Sequence, residues 1–287
     1  MVECVNCALR YTRPLPTKQE LAKLYGQDFY VSNSPRLWSG DFLRILFQRS
    51  VFWQHHRALL GKRPGRALDL GCGNGDFLAT LKRRGWEVYG TEFSSAACEL
   101  ARAKGVRVHQ GDLVSANFPA QSFDVITLWH VFEHLPDPLA ELAEVRRILR
   151  DDGLLVIEVP NSGCLTLRLS KQGWYPLDVP RHLQHYTPAT LQRLLREAGF
   201  ATAHQQNFHH WDFTYAFYSY MNRLKILERL GIGYFSTNYK QAALAQKALF
   251  LALGVPVALL CLPYSVIITL LSGNSETVTV TARKAAL

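Results

Sequence analysis

An α/β fold built around a mostly parallel sheet is predicted by three observations on the 287-residue sequence. Short apolar runs alternate with segments of helical periodicity between residues 67 and 209, which is the pattern of repeated βα units. The run 124–129 is apolar and β-branched enough for a strand buried on both faces. A hydrophobic content of 48% with 11% aromatic residues excludes a disordered chain.

Each predicted strand and helix has its own local signal. Seven short runs predict strands, namely 67–70, 86–90, 106–109, 124–129, 154–159, 200–208 and 277–281. Ser94 is the expected N-cap of the helix after the second run. Asp137 and Thr187 each precede a proline, so we expect a helix to begin at both places with the proline in its first turn.

A glycine-rich loop, Gly71-Cys72-Gly73-Asn74-Gly75, follows the first predicted strand. Such a turn lets a ligand approach the backbone, and the helix that follows presents free N–H groups. Glu92 ends the second predicted strand, where an acidic side chain can accept both hydroxyls of a ribose. Asp76 stands where a dinucleotide-binding motif needs its third glycine and would repel a pyrophosphate, which disfavours a nicotinamide-dependent oxidoreductase.

Several ordered motifs resemble those of class I S-adenosylmethionine-dependent methyltransferases. The segment ALDLGCGNGDF resembles their first motif. The segments FDVITLWHVFEHLPDP, RRILRDDGLLVIEVPN and RHLQHYTPATLQRLLREAGF resemble the small-molecule subgroup that includes ubiquinone-biosynthesis and sugar-modifying enzymes. The resemblance covers about residues 40–209 and 276–287. It implies a Rossmann-like sheet of seven strands, with helices on both faces and the last strand antiparallel.

The resemblance also implies S-adenosylmethionine as the cofactor. The glycine loop would hold its methionine part and Glu92 its ribose, while Asp112 and Leu113 would face the adenine. Asp112 has the alternative role of a turn or cap residue. The full set of implied cofactor-binding residues is Asp69, Gly71, Cys72, Gly73, Gly75, Glu92, Phe93, Asp112, Leu113, Trp129 and His130.

Three histidines are candidates for the base that helps a hydroxyl acceptor displace the methyl group. They are His134, which we prefer, then His185 and His182, because ligands of open α/β sheets collect at the strand C-termini. His130, Glu133 and His134 are spaced i, i+3 and i+4, so a helix would present them on one face as metal ligands. We adopt the alternative of a cofactor-pocket wall without a metal.

The flanks differ in charge from the middle of the chain. The net charge of +9 divides into +7 for residues 1–66, −2 for residues 67–209 and +4 for residues 210–287. We expect a basic leader with a helical lid over 1–40, a methyltransferase core over 41–209, an aromatic and apolar helical insertion over 210–275, and a final core strand over 276–287. The Cys4-x-x-Cys7 pair resembles the second half of an N-terminal zinc module that the small-molecule subgroup often has. Because tetrahedral zinc needs four ligands and the upstream cysteine pair is missing, we expect no bound metal there.

The insertion ends in a run without charged residues, from Ala248 to Ser275. Its length fits a membrane segment, and its flanks are basic and aromatic. Because the sixth and seventh strands are expected in one sheet, the insertion must return as a hairpin broken near Pro256 or Pro263, or lie in the membrane interface. An ordinary packed helical subdomain is the alternative.

Few, scattered cysteines and a leader without an apolar signal segment predict a cytoplasmic chain, peripheral or monotopic on the inner face of the membrane. The expected partners are a small-molecule or lipid-linked acceptor, such as a glycan or a quinone precursor, and an anionic membrane surface. A nucleic-acid methyltransferase would explain the charge, but the Asn/Asp-Pro-Pro-aromatic signature is missing after the fourth strand, so nucleic acid is not an expected partner. A noncatalytic membrane-associated protein on the same fold is the third hypothesis.

Overall fold

The computed structural model describes residues 1–17, 55–206, 212–223 and 275–285, with Glu20, Pro256, Pro263 and Ile267 described singly. The strands are β1 (Val2–Glu3), β2 (Arg10–Tyr11), β3 (Arg66–Leu70), β4 (Glu87–Glu92), β5 (Arg107–Gln110), β6 (Phe123–Trp129), β7 (Leu149–Pro160), β8 (Gln184–His185), β9 (Phe200–Gln206) and β10 (Thr277–Lys284). The helices are α1 (Asp76–Lys82), α2 (Ser95–Ala103), α3 (Pro138–Ile148), α4 (Leu165–Ser170), α5 (Pro188–Glu197) and α6 (Asp212–Arg223).

Seven strands form the central sheet, in the order β5-β4-β3-β6-β7-β10-β9. β3 pairs in parallel with both β4 and β6, and β6 pairs in parallel with β7. β10 is antiparallel to its neighbours β7 and β9, as the family resemblance implies. The strand order reverses at β3, so the loops after β3 and β6 lie at the crevice where open α/β sheets bind ligands.

All seven predicted strands are present in the central sheet, in the predicted order along the chain, although some of their ends lie at other residues. β4 ends at Glu92, the residue that the sequence places at this position. β7 begins at Leu149, before the predicted start at residue 154, and its added residues include the exposed Asp151 and Asp152. Polar residues at the start of a strand interrupt the apolar run, so composition alone misplaces this boundary.

All three predicted helix caps are present. Ser94 Oγ accepts a hydrogen bond from the Ala97 N–H at 3.3 Å, and Asp137 Oδ1 accepts one from the Ala140 N–H at 3.0 Å. Thr187 Oγ1 accepts from the Thr190 N–H at 3.2 Å, and Thr190 Oγ1 accepts in return from the Thr187 N–H at 2.8 Å. This capping box fixes the start of α5, the helix that follows the histidine-rich loop.

The core lies on both faces of the sheet. One apolar cluster packs α3 and α5 against β6, β7 and β10 and contains the stacked rings of Phe132 and Tyr186, whose centroids are 5.2 Å apart. A second cluster packs α1 and α2 against the other face and includes Leu78 and Val125. β6 is therefore buried on both faces, as its apolar run predicts.

The leader is joined to the core by a small sheet of order β1-β2-β8. β2 pairs with the segment that carries His185, and the Thr12 N–H donates to the Leu183 carbonyl at 2.9 Å. Cys4 and Cys7 lie, half-buried and unbridged, in the turn between β1 and β2. The part of the leader predicted as a helical lid lies almost wholly outside the described residues.

Little of the predicted insertion is described. In α6, Ala216 and Met221 are buried, so part of the aromatic segment packs on the fold. Pro256, Pro263 and Ile267 are helical and exposed, and the rest of the uncharged run lies outside the described residues. Among the residues that are described, no helix has the length and apolar character needed to cross a bilayer.

The capping box of α5 provides a test of the fold. Thr187→Ala removes the acceptor for the Thr190 N–H, and we expect the free energy of unfolding to fall by about 1 kcal/mol. Thr187→Ser keeps the hydroxyl and serves as the control. Urea denaturation measures both, and an alanine variant as stable as the serine variant would contradict this role of the cap.

Candidate cofactor and acceptor site

The three glycines of the loop after β3 serve different purposes. All have positive φ, +62° at Gly71, +52° at Gly73 and +73° at Gly75, which favours glycine. A Cβ on Gly71 would lie 2.6 Å from Val131 Cγ2, and one on Gly75 would lie 2.8 Å from Ala101 Cβ. Among the residues that the structure describes, none other than the chain neighbours has an atom within 4 Å of a Cβ placed on Gly73. Gly71 and Gly75 therefore allow close packing, whereas Gly73 borders open space where a ligand can approach the backbone.

Glu92 connects this loop to β4 and α2. Its Oε2 accepts from the Gly73 N–H at 3.0 Å and its Oε1 accepts from the Ser94 N–H at 2.9 Å, although the residue is only 2% exposed. A carboxylate has about four lone-pair sites, so both oxygens keep capacity for ribose hydroxyls. Gly73 and Glu92 together fit the ribose and methionine parts of the implied cofactor.

Asp69 lies beside Glu92 in the buried end of β3. Burial raises the pKa of Asp69 to about 7, and the charge of Glu92 adds to this rise. The Thr127 hydroxyl donates to Asp69 Oδ1 at 2.6 Å and opposes the shift. Asp69 thus holds a proton more readily than an exposed aspartate, while Thr127 fixes its orientation.

Four other predicted cofactor residues have mixed surroundings. Cys72 is 8% exposed and packs in the core, and its N–H donates to the Thr91 carbonyl, so it shapes the loop from the inner side. Leu113 is 1% exposed and its side chain also belongs to the core. Asp112 Oδ1 accepts from the Ser115 N–H at 2.7 Å, which is the turn role that the sequence left open. Phe93 is 69% exposed next to Glu92. Their contacts with a cofactor stay predictions.

The charge of Asp76 is compensated by a neighbouring lysine. Asp76 Oδ1 lies 2.6 Å from Lys104 Nζ, and that ammonium group also donates to the Asn74 carbonyl. The lysine compensates the charge that was expected to repel a pyrophosphate. The glycine spacing alone therefore argues against a dinucleotide here.

Trp129 is the last residue of β6, and His130 follows it. Both belong to a wall of packed aromatic rings. His55 stacks on Trp129 with ring centroids 3.7 Å apart, and the buried Trp129 Nε1 has no hydrogen-bond partner in the described part of the chain. His130 has a φ of +53°, and its ring lies edge-on to Tyr215 of α6 at 6.1 Å. The positive φ takes His130 out of helical geometry, so the three residues His130, Glu133 and His134 do not share the face of one helix as their spacing would allow.

His130 lies between two buried acids. Its Nδ1 is 3.4 Å from Glu133 Oε1 and its Nε2 is 3.3 Å from Glu158 Oε1. Burial would lower the pKa of His130, but these two carboxylates more than offset it and raise the pKa to about 10. Glu158 also accepts from the Thr279 hydroxyl at 2.7 Å and lies 3.4 Å from His55 Nε2. His130 is therefore a cation held in the wall of the site.

The three histidines predicted as bases lie together. The rings of His134 and His182 are 4.6 Å apart, and those of His182 and His185 are 6.4 Å apart. Burial lowers the pKa of His182 and that of His185 to about 4, so both are neutral at physiological pH. Val131, which touches Gly71, precedes the 3₁₀ turn of His134, so the histidine group and the glycine loop share one end of the sheet.

Asp178 Oδ2 lies 3.9 Å from His182 Nε2, and the more deeply buried acid beside this group is Glu133. It is 1% exposed, and its Oε1 is 4.0 Å from His182 Nε2. Burial alone would raise its pKa, but His130, His134 and His182 hold the pKa at about 2. His182 therefore joins His130 and His134 around Glu133, a contact that spacing along the chain does not indicate.

Sequence reasoning missed three residues of the site. Glu158 has a usable signal, since it is the one acidic residue in the apolar run 154–159. Thr127 and His55 have none, because a threonine inside a strand and a histidine before the first predicted strand are both common. Only their contacts with Asp69 and Trp129 show their part in the site.

Two concave regions lie apart from these residues. One is a cavity of about 220 Å³ lined by residues such as His56, Leu59 and Trp86, and the other is an open groove of about 440 Å³ along Tyr89 and Phe118. No predicted site residue lines either of them. The site is therefore defined by its side chains and backbone groups and not by either of these concavities.

Residues 44–205, just over half of the chain, match a family model described as a methyltransferase domain. The chain belongs to this family, the class I methyltransferases that use S-adenosylmethionine as cofactor.

Relatives and solved structures agree with this assignment. The chain is 33% identical to a probable S-adenosylmethionine-dependent methyltransferase of Mycolicibacterium smegmatis, covering 54% of this chain and 61% of that protein. It is 30% identical to a ubiquinone biosynthesis O-methyltransferase of Neisseria meningitidis serogroup A, covering 56% and 74%. A methyltransferase structure from Archaeoglobus fulgidus shares the fold with a TM-score of 0.53 at 20% identity, covering 82% and 93%. The chain spans between 45% and 63% of the length of the first three curated relatives that it matches.

The open space at Gly73 provides a test of the loop. In Gly73→Ala the added methyl group enters the space left for a ligand, so we expect S-adenosylmethionine to bind at least about tenfold more weakly, with a stability loss of about 1–2 kcal/mol from the positive φ. Gly75→Ala is the comparison and should lose more stability, because its Cβ also meets Ala101. Calorimetric titration and urea denaturation separate the two effects. Unchanged cofactor affinity in Gly73→Ala would contradict this role of Gly73.

Asp69 predicts a pH dependence of stability without cofactor. Its pKa is about 7 in the folded chain, against about 3.9 for a free aspartate. Between these values the folded state keeps a proton that the unfolded state has lost, so stability falls as pH rises from about 4 to about 7. Asp69→Asn stays neutral and should gain up to roughly 4 kcal/mol relative to wild type across this window. Urea denaturation at each pH measures the free energy of unfolding of both proteins. If the two values change with pH in the same way, Asp69 does not cause the pH dependence.

Proposed function

We propose that the chain transfers a methyl group from S-adenosylmethionine to a hydroxyl oxygen of a small-molecule acceptor. The observation that carries the proposal is the histidine group of His134, His182 and His185, which lies at the same end of the sheet as the glycine loop. A hydroxyl acceptor needs a proton acceptor beside it, whereas binding of the cofactor alone does not.

Bound S-adenosylmethionine supplies an electrophilic methyl group on its sulfonium sulfur. The chain's own part in the reaction is to bind the cofactor and the acceptor and to orient them. Gly73 opens the loop to the ligand, Glu92 offers acceptors for ribose hydroxyls, and Asp69 lies at the end of β3 beside them. Because the methyl group is already activated, alignment accounts for much of the expected rate enhancement.

The hydrogen bonds of the histidines determine which nitrogen can take a proton. His134 Nδ1 lies 3.0 Å from the Arg181 carbonyl and His182 Nδ1 lies 2.7 Å from the Pro176 carbonyl. A carbonyl oxygen only accepts, so each Nδ1 carries the hydrogen and each Nε2 has the lone pair. The buried carboxylate of Glu133 stabilises an imidazolium formed beside it.

The aromatic wall supports a flat, partly apolar acceptor. The ring centroids of Tyr175 and Tyr215 are 5.5 Å apart, and the Tyr215 ring also packs edge-on against the ring of His130. A quinone precursor fits such a wall, and two of the matched relatives are named as a ubiquinone biosynthesis O-methyltransferase and a demethylmenaquinone methyltransferase. A lipid-linked glycan is the other acceptor that we propose, because the uncharged run in the insertion would bring the chain to an anionic membrane surface.

Transfer of labelled methyl groups into fractionated cell extract tests the function. We expect label in the lipid or quinone pool, and a rate lowered by at least about tenfold in His134→Gln, in line with the 10²–10⁴-fold contribution typical of a proton acceptor. His204→Gln, a change at an exposed histidine of β9, is the control and should keep the wild-type rate. Label confined to RNA or protein would overturn the proposed acceptor class.

A further inference from the structure

Glu133, His134 and His182 bring three metal-binding donors close together. One ligand atom of each residue lies within 4.8 Å of the others. His182 comes from the loop before β8, whereas Glu133 and His134 belong to the 3₁₀ turn after β6. Two separate segments therefore meet at one point, which their spacing along the chain does not indicate.

The two histidines have the surroundings of metal ligands. Each Nδ1 lies within hydrogen-bond distance of a backbone carbonyl, that of Arg181 for His134 and that of Pro176 for His182. These bonds fix the ring orientation and leave Nε2 as the donor atom. Histidines that bind metals are usually held by such a bond from their other ring nitrogen.

Glu133 provides an independent observation. It is 1% exposed, yet neither carboxylate oxygen has a hydrogen-bond partner among the residues that the structure describes. Its contact with His130 Nδ1 is 3.4 Å, longer than the 2.7–2.9 Å typical of a charge-assisted hydrogen bond. The neighbouring His130 cation supplies charge but no short hydrogen bond, so the lone pairs of this buried carboxylate stay available to a metal ion.

We propose that Glu133, His134 and His182 bind one zinc ion and leave its fourth position open. Two imidazole nitrogens and one carboxylate oxygen are a ligand set found in catalytic zinc sites, and they are less suited to magnesium, which prefers oxygen ligands. The three donor atoms lie within 4.8 Å of one another, a limit that is wider than the separation of the ligand atoms around a tetrahedral zinc ion with bonds of about 2.0–2.2 Å. A modest rotation of the side chains would bring them to that separation.

The role of the ion rests on the proposed function, but its binding does not. An acceptor hydroxyl that reaches the open position would have its pKa lowered, as bound water does on zinc. His134 and His182 then hold the ion, and the hydroxyl proton leaves to solvent. In the zinc-bound form, His134 and His182 would act on the acceptor hydroxyl through the ion, whereas in the metal-free form they are the proton acceptors of the proposed function.

The experiment is a titration of metal-free protein with zinc alone, by calorimetry or against a chromogenic chelator. The full chain carries Cys4→Ser and Cys7→Ser, so that zinc taken up by these two thiols does not enter the count. We expect one zinc per chain with a micromolar or tighter dissociation constant. Glu133→Gln and His182→Gln should each weaken binding at least about a hundredfold, since an outer-shell change alone typically costs 10–100-fold. His204→Gln should not change it.

Cobalt provides a readout that needs no variant of the three ligands. Cobalt bound in the same place should show the intense visible absorption of four-coordinate geometry, and zinc should displace it. The absence of saturable zinc binding, or binding that Glu133→Gln and His182→Gln leave unchanged, overturns the site. S-adenosylmethionine binding confirms that each variant is folded. Zinc binding without methyl transfer to any pool would overturn the proposed function and leave the zinc site standing.

Discussion

The Glu92 carboxylate is the contact on which the rest of the site depends. By accepting hydrogen bonds from Gly73 on one oxygen and from Ser94 on the other, it joins the glycine loop to the start of α2. The two N–H groups belong to different βα units, so one buried charge fixes the relative position of two strand ends. Charge-assisted bonds of this kind are stronger than neutral ones, and burial reduces their screening.

A second buried network lies on the other side of the β3 and β6 ends. His130 is held between Glu133 and Glu158, and this arrangement keeps a cation and two carboxylates in the wall of the site. No cation lies beside Asp69 within the described part of the chain, and burial raises its pKa to about 7. Neighbouring acids at one edge of the sheet therefore differ in protonation because their partners differ, a pattern common at functional sites.

Much of the cofactor side of the site was predictable, because it depends on local sequence. The glycine loop, Glu92 at the end of β4 and the cap at Ser94 all follow from turn and capping rules that act within a few residues. The acceptor side was less predictable. The choice of His134, His182 and His185 as candidate bases stays a prediction, and the structure adds that their rings lie close together. The spacing of His130, Glu133 and His134 would form a metal-binding face only on a helix, and the positive φ of His130 and the 3₁₀ turn replace that helix.

The sequence by itself determined the class of fold, the order of its seven strands along the chain, the helix starts and the family. These are set by periodicity and by short-range hydrogen bonds, which a linear pattern records. Only the tertiary structure decided that His182 joins Glu133 and His134, that Glu158 joins the wall, and that Lys104 compensates Asp76. Those pairings join residues far apart in the chain, and their energies depend on distance and burial, which no linear spacing contains.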